Sequence, residues 1–419
     1  MAEPEVFDVV IVGAGPAGLG AALELRRQGV RRVLLVEREA EPGGVPRHCA
    51  HSPFGMRELR RVLTGPAYAR RLAAQVRDAG AAIRCGTTVV SIAPGGGLTV
   101  AGSQGIGEIG ARRAILATGV RESSRHARLI SGDRPLGVIT TGTLQAMIHL
   151  QGLLPFERPV IVGTELVALS ALLTCRSAGI RPVAMLEEAS GPTARARLLA
   201  LPRLLGIPVH YGAALAEIVG QPRVEAIRVA RLDGRQQLVP CDGVLLTGRF
   251  VPEATLARMA HLEIDPGSGG PVVDQHGRCS DPAWFAAGNL LRPVETAGWS
   301  FREGRRIGAA VAADLAGRLS GTQDLLPVVR GRGLKLVVPQ RLALPLGDPA
   351  LDSLQIRVST PAAGELSVQA DGRTVWRRHV RLLPERRILV PLRALAIPAA
   401  TRQVEVRLTQ SPEAALAGS

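Results

Sequence analysis

Three glycines and a distant acid are the residues here whose types and spacing most directly imply chemistry: Gly13, Gly15, Gly18 and Glu37. In Gly13-x-Gly15-x-x-Gly18 the first glycine permits a tight turn and the second lets backbone approach a pyrophosphate. The third lets a helix sit close on a sheet, its N-terminus facing the phosphates. Glu37, about twenty residues on, is placed to accept hydrogen bonds from a ribose. A second set is Cys49, flanked by His48 and His51. A neighbouring imidazolium would lower its pKa and make it a thiolate. It has no partner cysteine at CxxC or CxxxxC spacing, which disfavours disulfide-reductase chemistry, so these residues read as shaping a cofactor pocket. A third set is Gly163-Thr164-Glu165-Leu166-Val167-Ala168, where a second glycine-rich turn would bind NAD(P). Glu165 stands in place of its second glycine, and the repulsion of one charge near a phosphate costs about 1 to 4 kcal/mol depending on dielectric. A carboxylate at a helix N-terminus is also a satisfactory structural feature by itself. NAD(P) binding is therefore doubtful. Arg47 and Arg57 would hold an anionic ligand or simply be solvated, and His126, His149 and His261 stand alone as surface or core residues. No His/Asp/Glu set has metal-ligand spacing and no serine or cysteine triad is evident, so we assign neither a metal site nor a catalytic residue.

The elements that must position these groups follow from the pattern. Val9 to Val12 is an apolar run that reads as a buried parallel strand, followed by an amphipathic helix and the strand Val33 to Val36. A loop rich in glycine and proline runs from Glu41 to Arg57, then a helix from Pro66 to Ala79, and strands near Ile83 and Val89 to Ile92. Leu98 to Ile109 reads as a hairpin, and Ala114 to Gly119 as a separate short buried strand. A second βαβ-like unit starts at Pro159 to Gly163, with a helix over Glu165 to Ala178 and a strand over Pro182 to Glu187. Val244 to Gly248 echoes Ala117-Thr118-Gly119. Trp284 to Asn289 ends a further strand, and Gly298 to Arg318 is a long helix rich in small residues. Beyond about residue 325 the period changes: Leu354 to Val358 and Val404 to Leu408 alternate as half-buried strands do. Asp371-Gly372 marks a hairpin turn between Leu366 to Val368 and Thr374 to Trp376.

Composition narrows the class. With 46% hydrophobic and 21% charged residues the chain is an ordinary globular protein, long enough for two or three domains. No apolar stretch approaches the roughly 18 residues that cross a bilayer, and the N-terminal apolar segment lacks a secretory signal's basic leader and cleavage site. A cytoplasmic location is the expectation. The formal charge of +15 is carried almost wholly by arginine. With only 3% aromatics and no arginine block interleaved with them, it suggests a solvated surface or an acidic protein partner rather than nucleic acid. Five scattered cysteines form no disulfide framework.

Together the landmarks resemble the flavoproteins with two dinucleotide-binding domains, the pyridine-nucleotide-disulfide-oxidoreductase-like superfamily, over roughly residues 6 to 320. The expected fold is α/β: two interleaved Rossmann-like dinucleotide-binding domains, one for FAD and one NAD(P)-like, then a small all-β sandwich-like C-terminal domain. The boundaries expected are 1–125 for the first part of the FAD domain and 126–250 for the NAD(P)-like domain with its degenerate motif. The FAD domain returns over 251–325, and 326–419 is the β-rich C-terminal domain. The resemblance implies FAD contacts from Gly13, Gly15, Ala17, Gly18, Glu37 and Gly44, with the backbone near Val89 against adenine. It places Thr118 and Gly119 at the flavin border, where the chain crosses to the second domain. Gly288-Asn289 stands for the family's Gly-Asp at the pyrophosphate and ribityl chain, asparagine still being able to accept a hydroxyl hydrogen bond. The following helix would aim its N-terminus at the flavin ring, with Trp299 near its start.

Gly44-Val45-Pro46-Arg47-His48-Cys49, Phe54-Gly55 and Gly132 to Val138 look more specifically like the alpha subunits of multi-subunit dehydrogenases. These include hydrogen cyanide synthase, opine oxidase and dye-linked amino-acid dehydrogenases. This implies an FAD-dependent electron-transferring subunit, with a second flavoprotein subunit that oxidises a small-molecule amine. Such alpha subunits often carry a C-terminal cysteine cluster for iron-sulfur; the C-terminal stretch here has no cysteine, so any such centre would come from a small iron-sulfur partner. The alternatives are a free-standing NAD(P)H-dependent flavin oxidoreductase and a non-catalytic nucleotide-binding scaffold subunit.

Overall fold

The structure, a computed structural model, describes residues 5–193, 200–319, 321, 325–384 and 386–410, so residues 411–419 of the expected C-terminal domain fall outside it. Its helices are α1 (Pro16–Arg27), α2 (Gly65–Asp78), α3 (Thr141–Gln151), α4 (Leu166–Ser177), α5 (Ala200–Leu204), α6 (Thr255–Met259) and α7 (Ala297–Leu315).

Val9 to Val12 carries no polar residue because both faces of its strand are covered. Glu5–Val12 lies between Val33–Val36 and Gly105–Leu116, parallel to both, and Ala82–Arg84 extends the sheet beyond Val33–Val36. On the other side Gly97–Gly102 and Thr88–Ala93 continue it antiparallel. The expected hairpin forms, Gly97–Gly102 against the start of Gly105–Leu116, but its second strand and the expected short strand from Ala114 are one continuous strand. The reason is its long neighbour: Glu5–Val12 pairs with it from Ile109 through Leu116 and leaves no place for a break. Trp284–Ala286 joins the far side of the same strand in parallel, so the chain returns to its first sheet nearly 170 residues later.

Between these visits the chain builds a second parallel sheet in the order Val209–Tyr211, Ala184–Glu187, Pro159–Val162, Gly243–Leu246 and Val138–Thr140. A smaller sheet of Gln236–Pro240, Ala226–Arg231, Ala213–Val219 and Ser131–Gly132 lies beside it. The outbound and returning crossings, Val120–Glu122 and Phe250–Pro252, pair antiparallel with each other.

From Leu325 to Gln410 the described residues hold two further sheets, of five and three strands, around an apolar core that includes Leu354, Val368 and Val406. Asp371 and Gly372 both have positive φ, 46° and 83°, the combination that a two-residue hairpin turn between right-twisted strands needs. Val404–Gln410 is half-buried as its alternation predicts. Ser353–Val358 is not: all six residues are buried, including Gln355 and Arg357. Its polar side faces Glu303 on α7 and Glu295 on the loop before it, which turns the apparent solvent face into an inner one. Among the described residues no helix is long and apolar enough to cross a membrane.

Candidate functional site

The glycine turn is built as its spacing requires. Gly13 has φ of 100°, and a Cβ on it would lie 2.6 Å from the Ala117 carbonyl oxygen, so only glycine fits. A Cβ on Gly18 would collide with the Gly13 carbonyl oxygen and touch Ile11, which closes the start of α1 onto the strand below. Gly15 is different: a Cβ there would meet nothing nearer than the Gly44 Cα, at 3.9 Å. A side chain at Gly15 would thus occupy open space in front of the helix, where a ligand has room. Gly44 closes the opposite wall, with φ of 61° and its own would-be Cβ 2.9 Å from the Gly15 Cα. No side chain caps α1 at Gly15, and Pro16 at its first position has no N–H to satisfy.

Glu37 ends the second strand buried beside this turn. One carboxylate oxygen accepts the Ala14 N–H at 2.8 Å and the other accepts the Glu39 N–H at 3.0 Å. Two remaining lone pairs leave it able to take hydroxyl donors as well. Val89 is buried in the first core. Thr118 and Gly119 are engaged in the crossing: the Thr118 hydroxyl donates to the Glu253 carbonyl at 2.7 Å, and Glu253 N–H donates to Gly119 O at 2.9 Å.

The late segment converges on the same place. Gly288, with φ of 77°, donates its N–H to Glu303 Oε1 at 2.9 Å, and a Cβ on it would lie 2.7 Å from the Ala17 Cβ. Asn289 closes a loop, accepting the Glu295 N–H at 2.8 Å and donating to the Glu295 carbonyl at 3.2 Å. Helices α1 and α7 meet backbone to backbone, since a Cβ on Gly304 would overlap the Ala17 carbonyl and one on Gly20 the Phe301 carbonyl. The starts of both helices, Gly44 and the Gly288 loop therefore surround one cradle. Two buried polar atoms at the start of α7, the Ser300 hydroxyl and the Trp299 indole N–H, have no hydrogen-bond partner among the described residues. Gly298 at the same helix start lies against the Glu58 carboxylate.

The cysteine–histidine set does something other than make a thiolate. Cys49 is buried and its thiol is pushed up to about 12, first by desolvation and then by Glu122, while desolvation pulls His48 below its ordinary value. A neutral imidazole gives a thiol no help in ionising. Cys49 Sγ donates to Gln145 Oε1 at 3.3 Å; Gln145 Nε2 donates to Ser170 Oγ at 2.9 Å, and His51 Nε2 is 2.7 Å from that hydroxyl. The group fastens the loop after the first unit to α3 and α4 of the second. Gln145 and Ser170, ordinary helix residues without a motif around them, gave no sign of this in the sequence. Arg47 donates to the Glu41 carbonyl at 2.6 Å and so braces its own loop, whereas Arg57 is exposed. His261 is not isolated: its Nε2 lies 2.8 Å from Asp281 Oδ2.

The second turn has the same backbone plan with its opening filled. Glu165 is the residue before α4, and its carboxylate folds back between Gly163 and Gly248. Would-be Cβ atoms on those glycines would lie 2.5 and 2.7 Å from its two oxygens. Burial, with Glu187 and Glu122 adding to it, pushes this carboxyl up to about 7 against the hydrogen bond from Thr247. The cavity in front, about 270 Å³, is lined by Arg128, Glu187, Glu188 and Arg249 among others. Glu187 ends its strand as Glu37 does, but its carboxylate holds the Thr164 hydroxyl and, at 3.2 Å, that of Thr193. Among the described residues no cluster of three His, Cys, Asp or Glu is placed to hold a metal ion.

Residues 7–313 match the family profile described as pyridine nucleotide-disulphide oxidoreductase. An opine oxidase subunit from Agrobacterium tumefaciens is 27% identical over 355 residues, 77% of this chain and 66% of that protein. The HcnB component of hydrogen cyanide synthase from Pseudomonas aeruginosa is 30% identical over 291 residues, 61% of this chain and 59% of that one. The chain thus spans about two thirds or less of the length of these relatives. Among solved structures, T. acidophilum thioredoxin reductase superposes with a TM-score of 0.62 at 23% identity, covering 74% of this chain and 99% of that one, which is a likeness of fold. This chain belongs to the pyridine nucleotide-disulphide oxidoreductase family and is an FAD-dependent oxidoreductase.

Proposed function

We propose that this chain is the FAD-bearing, electron-transferring alpha-type subunit of a multi-subunit amino-acid or opine-type dehydrogenase. In this reading a second flavoprotein subunit oxidises a small-molecule amine, and a small iron-sulfur protein completes the path where one is used. The assembly works in the cytoplasm. The domains fall at 1–125, 126–250, 251–325 and 326–419, the last a β-rich sandwich-like unit.

The residues present fit FAD. The open space before Gly15 and the uncapped start of α1 together make a cradle with backbone donors and no filling side chain. Backbone N–H groups from Gly13 to Gly18, Ala17 included, would face the pyrophosphate, with the α1 N-terminus favouring its negative charge. Glu37 would take the ribose hydroxyls and the backbone at Val89 the adenine. Gly44, Gly288 and Asn289 would line the pyrophosphate and ribityl chain, and Thr118-Gly119 would border the ring. When bound, FAD supplies the redox chemistry, taking up and giving up electrons. The protein's part is to fix the ring, keep water from it and set its potential.

The observation that carries this reading is the contrast between the two turns. Gly15 leaves its opening free, while the Glu165 carboxylate fills the equivalent opening of the second unit, so reducing equivalents would come from a partner rather than from NAD(P)H. An anaerobic titration of the yellow protein with NADH and NADPH, followed at the flavin absorbance, tests it. The flavin should stay oxidised, and Gly15→Glu should lose FAD on purification. Rapid bleaching would instead establish a self-contained NAD(P)H-dependent oxidoreductase, and a preparation that cannot be loaded with FAD would overturn the assignment.

A further inference from the structure

One braced segment of the second unit lies outside both glycine turns. Ser131–Gly132 pairs with Glu217 and Ile218 in the smaller sheet, and Val138–Thr140 is the edge strand of the parallel one. Between them polar contacts fix the backbone. The Arg125 guanidinium donates to the carbonyls of Ile130 at 3.2 Å, Ser131 at 2.8 Å and Gly132 at 2.9 Å, and to that of Asp133. The Asp133 carboxylate accepts the Gly220 N–H at 2.9 Å and the Gln221 side-chain amide at 3.3 Å. The Leu136 N–H donates to the Pro222 carbonyl at 2.9 Å, and its own carbonyl accepts the Val224 N–H at 3.0 Å. Yet no residue from 129 to 137 is buried, so this bracing serves no core. Its effect is to hold Arg134 and Leu136 in solvent on a fixed backbone.

Leu136 is 65% exposed, and a second apolar stretch adjoins it. Arg223, bridged to Leu136 through the backbone, donates from Nη2 to the Pro155 carbonyl at 2.6 Å. Gly137 packs against the Asp242 carbonyl, and the Asp242 carboxylate accepts the Glu157 and Arg158 N–H groups at 2.6 and 2.7 Å. Immediately before Pro155, Leu153 and Leu154 are 52% and 61% exposed. Leucines exposed singly need no account, but three on adjoining, anchored segments form a patch of the kind that marks a contact face. Arg134, Arg158 and Arg223 are exposed around it, with Glu157 and Glu225 beside them, while Asp133 and Asp242 already spend their carboxylates on backbone donors. A second copy suits this patch poorly. On a two-fold axis it would meet itself, arginine against arginine, between chains that each carry a formal charge of +15. An acidic chain with an apolar hollow suits both the leucines and the guanidinium groups, and the fixed backbone lowers the ordering cost of docking.

We propose that Leu136, Leu153 and Leu154, flanked by Arg134 and Arg223, are the docking face for an acidic surface of the partner flavoprotein. This rests on the reading that the chain works as a subunit beside such a flavoprotein. The tagged full chain is purified together with the flavoprotein that accompanies it, which is identified by its own flavin and its amine-dehydrogenase activity. The affinity of the two separated proteins is then measured by interferometry for the parent, Leu136→Asp, Leu154→Asp and Arg134→Glu. Ile106→Asp, at a residue 80% exposed on the hairpin of the first sheet, is the control. Thermal melting and flavin content report folding. Each leucine variant should weaken binding by about tenfold or more, the effect expected at the centre of an interface. Arg134→Glu should slow association, and Ile106→Asp should change nothing. Hydrogen exchange on the unsubstituted complex should show new protection over residues 129–137 and 150–155. If the folded variants bind as the parent does and exchange there is unchanged, this inference fails and the subunit reading stands. If sedimentation shows the parent associating with itself and Leu136→Asp abolishes that, the occupant is a second copy and the inference is overturned. If no flavoprotein accompanies the parent, both fall.

Discussion

A buried carboxyl whose pKa is raised works against the fold in its charged form, and Glu165 is the case to test. Its ordinary value of 4.5 becomes about 7 in the folded chain because burial, Glu187 and Glu122 all disfavour the anion. The folded state therefore binds this proton more tightly than the unfolded one. The cost is absent below about pH 4.5, grows through the interval up to about 7, and is fully present above it. Between pH 4.5 and about 7 this cost grows to an upper size of about 3 kcal/mol. Glu165→Gln should accordingly raise the stability measured by urea unfolding at about pH 8, with the gain shrinking to near zero by about pH 5. An equal gain at both pH values would mean that packing rather than ionisation sets the effect. That Glu165 obstructs the second turn was legible from the motif, since a charged side chain at the position of the second glycine has one place to go. That Cys49 is a thiol bonded to Gln145 was not: its protonation depends on enclosure by α3 and α4, about 100 residues away in the chain.

At the scale of elements, the cradle depends on α1 and α7 approaching more closely than side chains allow. Gly20, Gly304 and Gly308 each leave no room for a Cβ, their neighbours being the carbonyls of Phe301, Ala17 and Ala21. Gly304→Ala should push the helices apart and lower stability by about 2 kcal/mol, an overpacking cost of roughly 1–3 kcal/mol that outweighs the roughly 1 kcal/mol of helix propensity alanine gains. The same change should weaken FAD retention, because Ala17 and Gly288 move with the helices. Gly107→Ala, where nothing lies within 4 Å, is the matched control and should be neutral in urea unfolding and flavin content. An unchanged Gly304→Ala protein would show that the helices slide without loss. The long helix and its small residues were readable as a pattern; their purpose was not, since α7 meets α1 across nearly 300 residues of chain. The period of two over Leu354 to Val358 likewise announced a strand but misjudged its outer face. An arginine alternating with apolar residues looks solvated until Glu295 is found behind it.

For the whole molecule the question is what an excess of fifteen positive charges does when the motifs call for protein partners rather than nucleic acid. Several of the arginines are paired internally, as Glu295 and Glu303 show, and such buried groups cannot steer a partner. Others stand in solvent: Arg373, Arg377, Arg378 and Arg381 are exposed along one strand, Arg373–Leu382, at the edge of the five-stranded sheet. A charged edge resists indiscriminate strand pairing and, at longer range, attracts an acidic surface. If the partner flavoprotein of the proposed assembly is acidic, attraction between solvent-exposed charges is screened over a Debye length of about 8 Å at physiological ionic strength. The association should then weaken on the order of tenfold between low and high salt, mostly through a slower on-rate, since steering acts on encounter more than on residence. Stopped-flow mixing of the two proteins over a salt series measures this. A rate independent of salt would assign the interface to apolar contacts and leave the arginine surface as a solubilising coat.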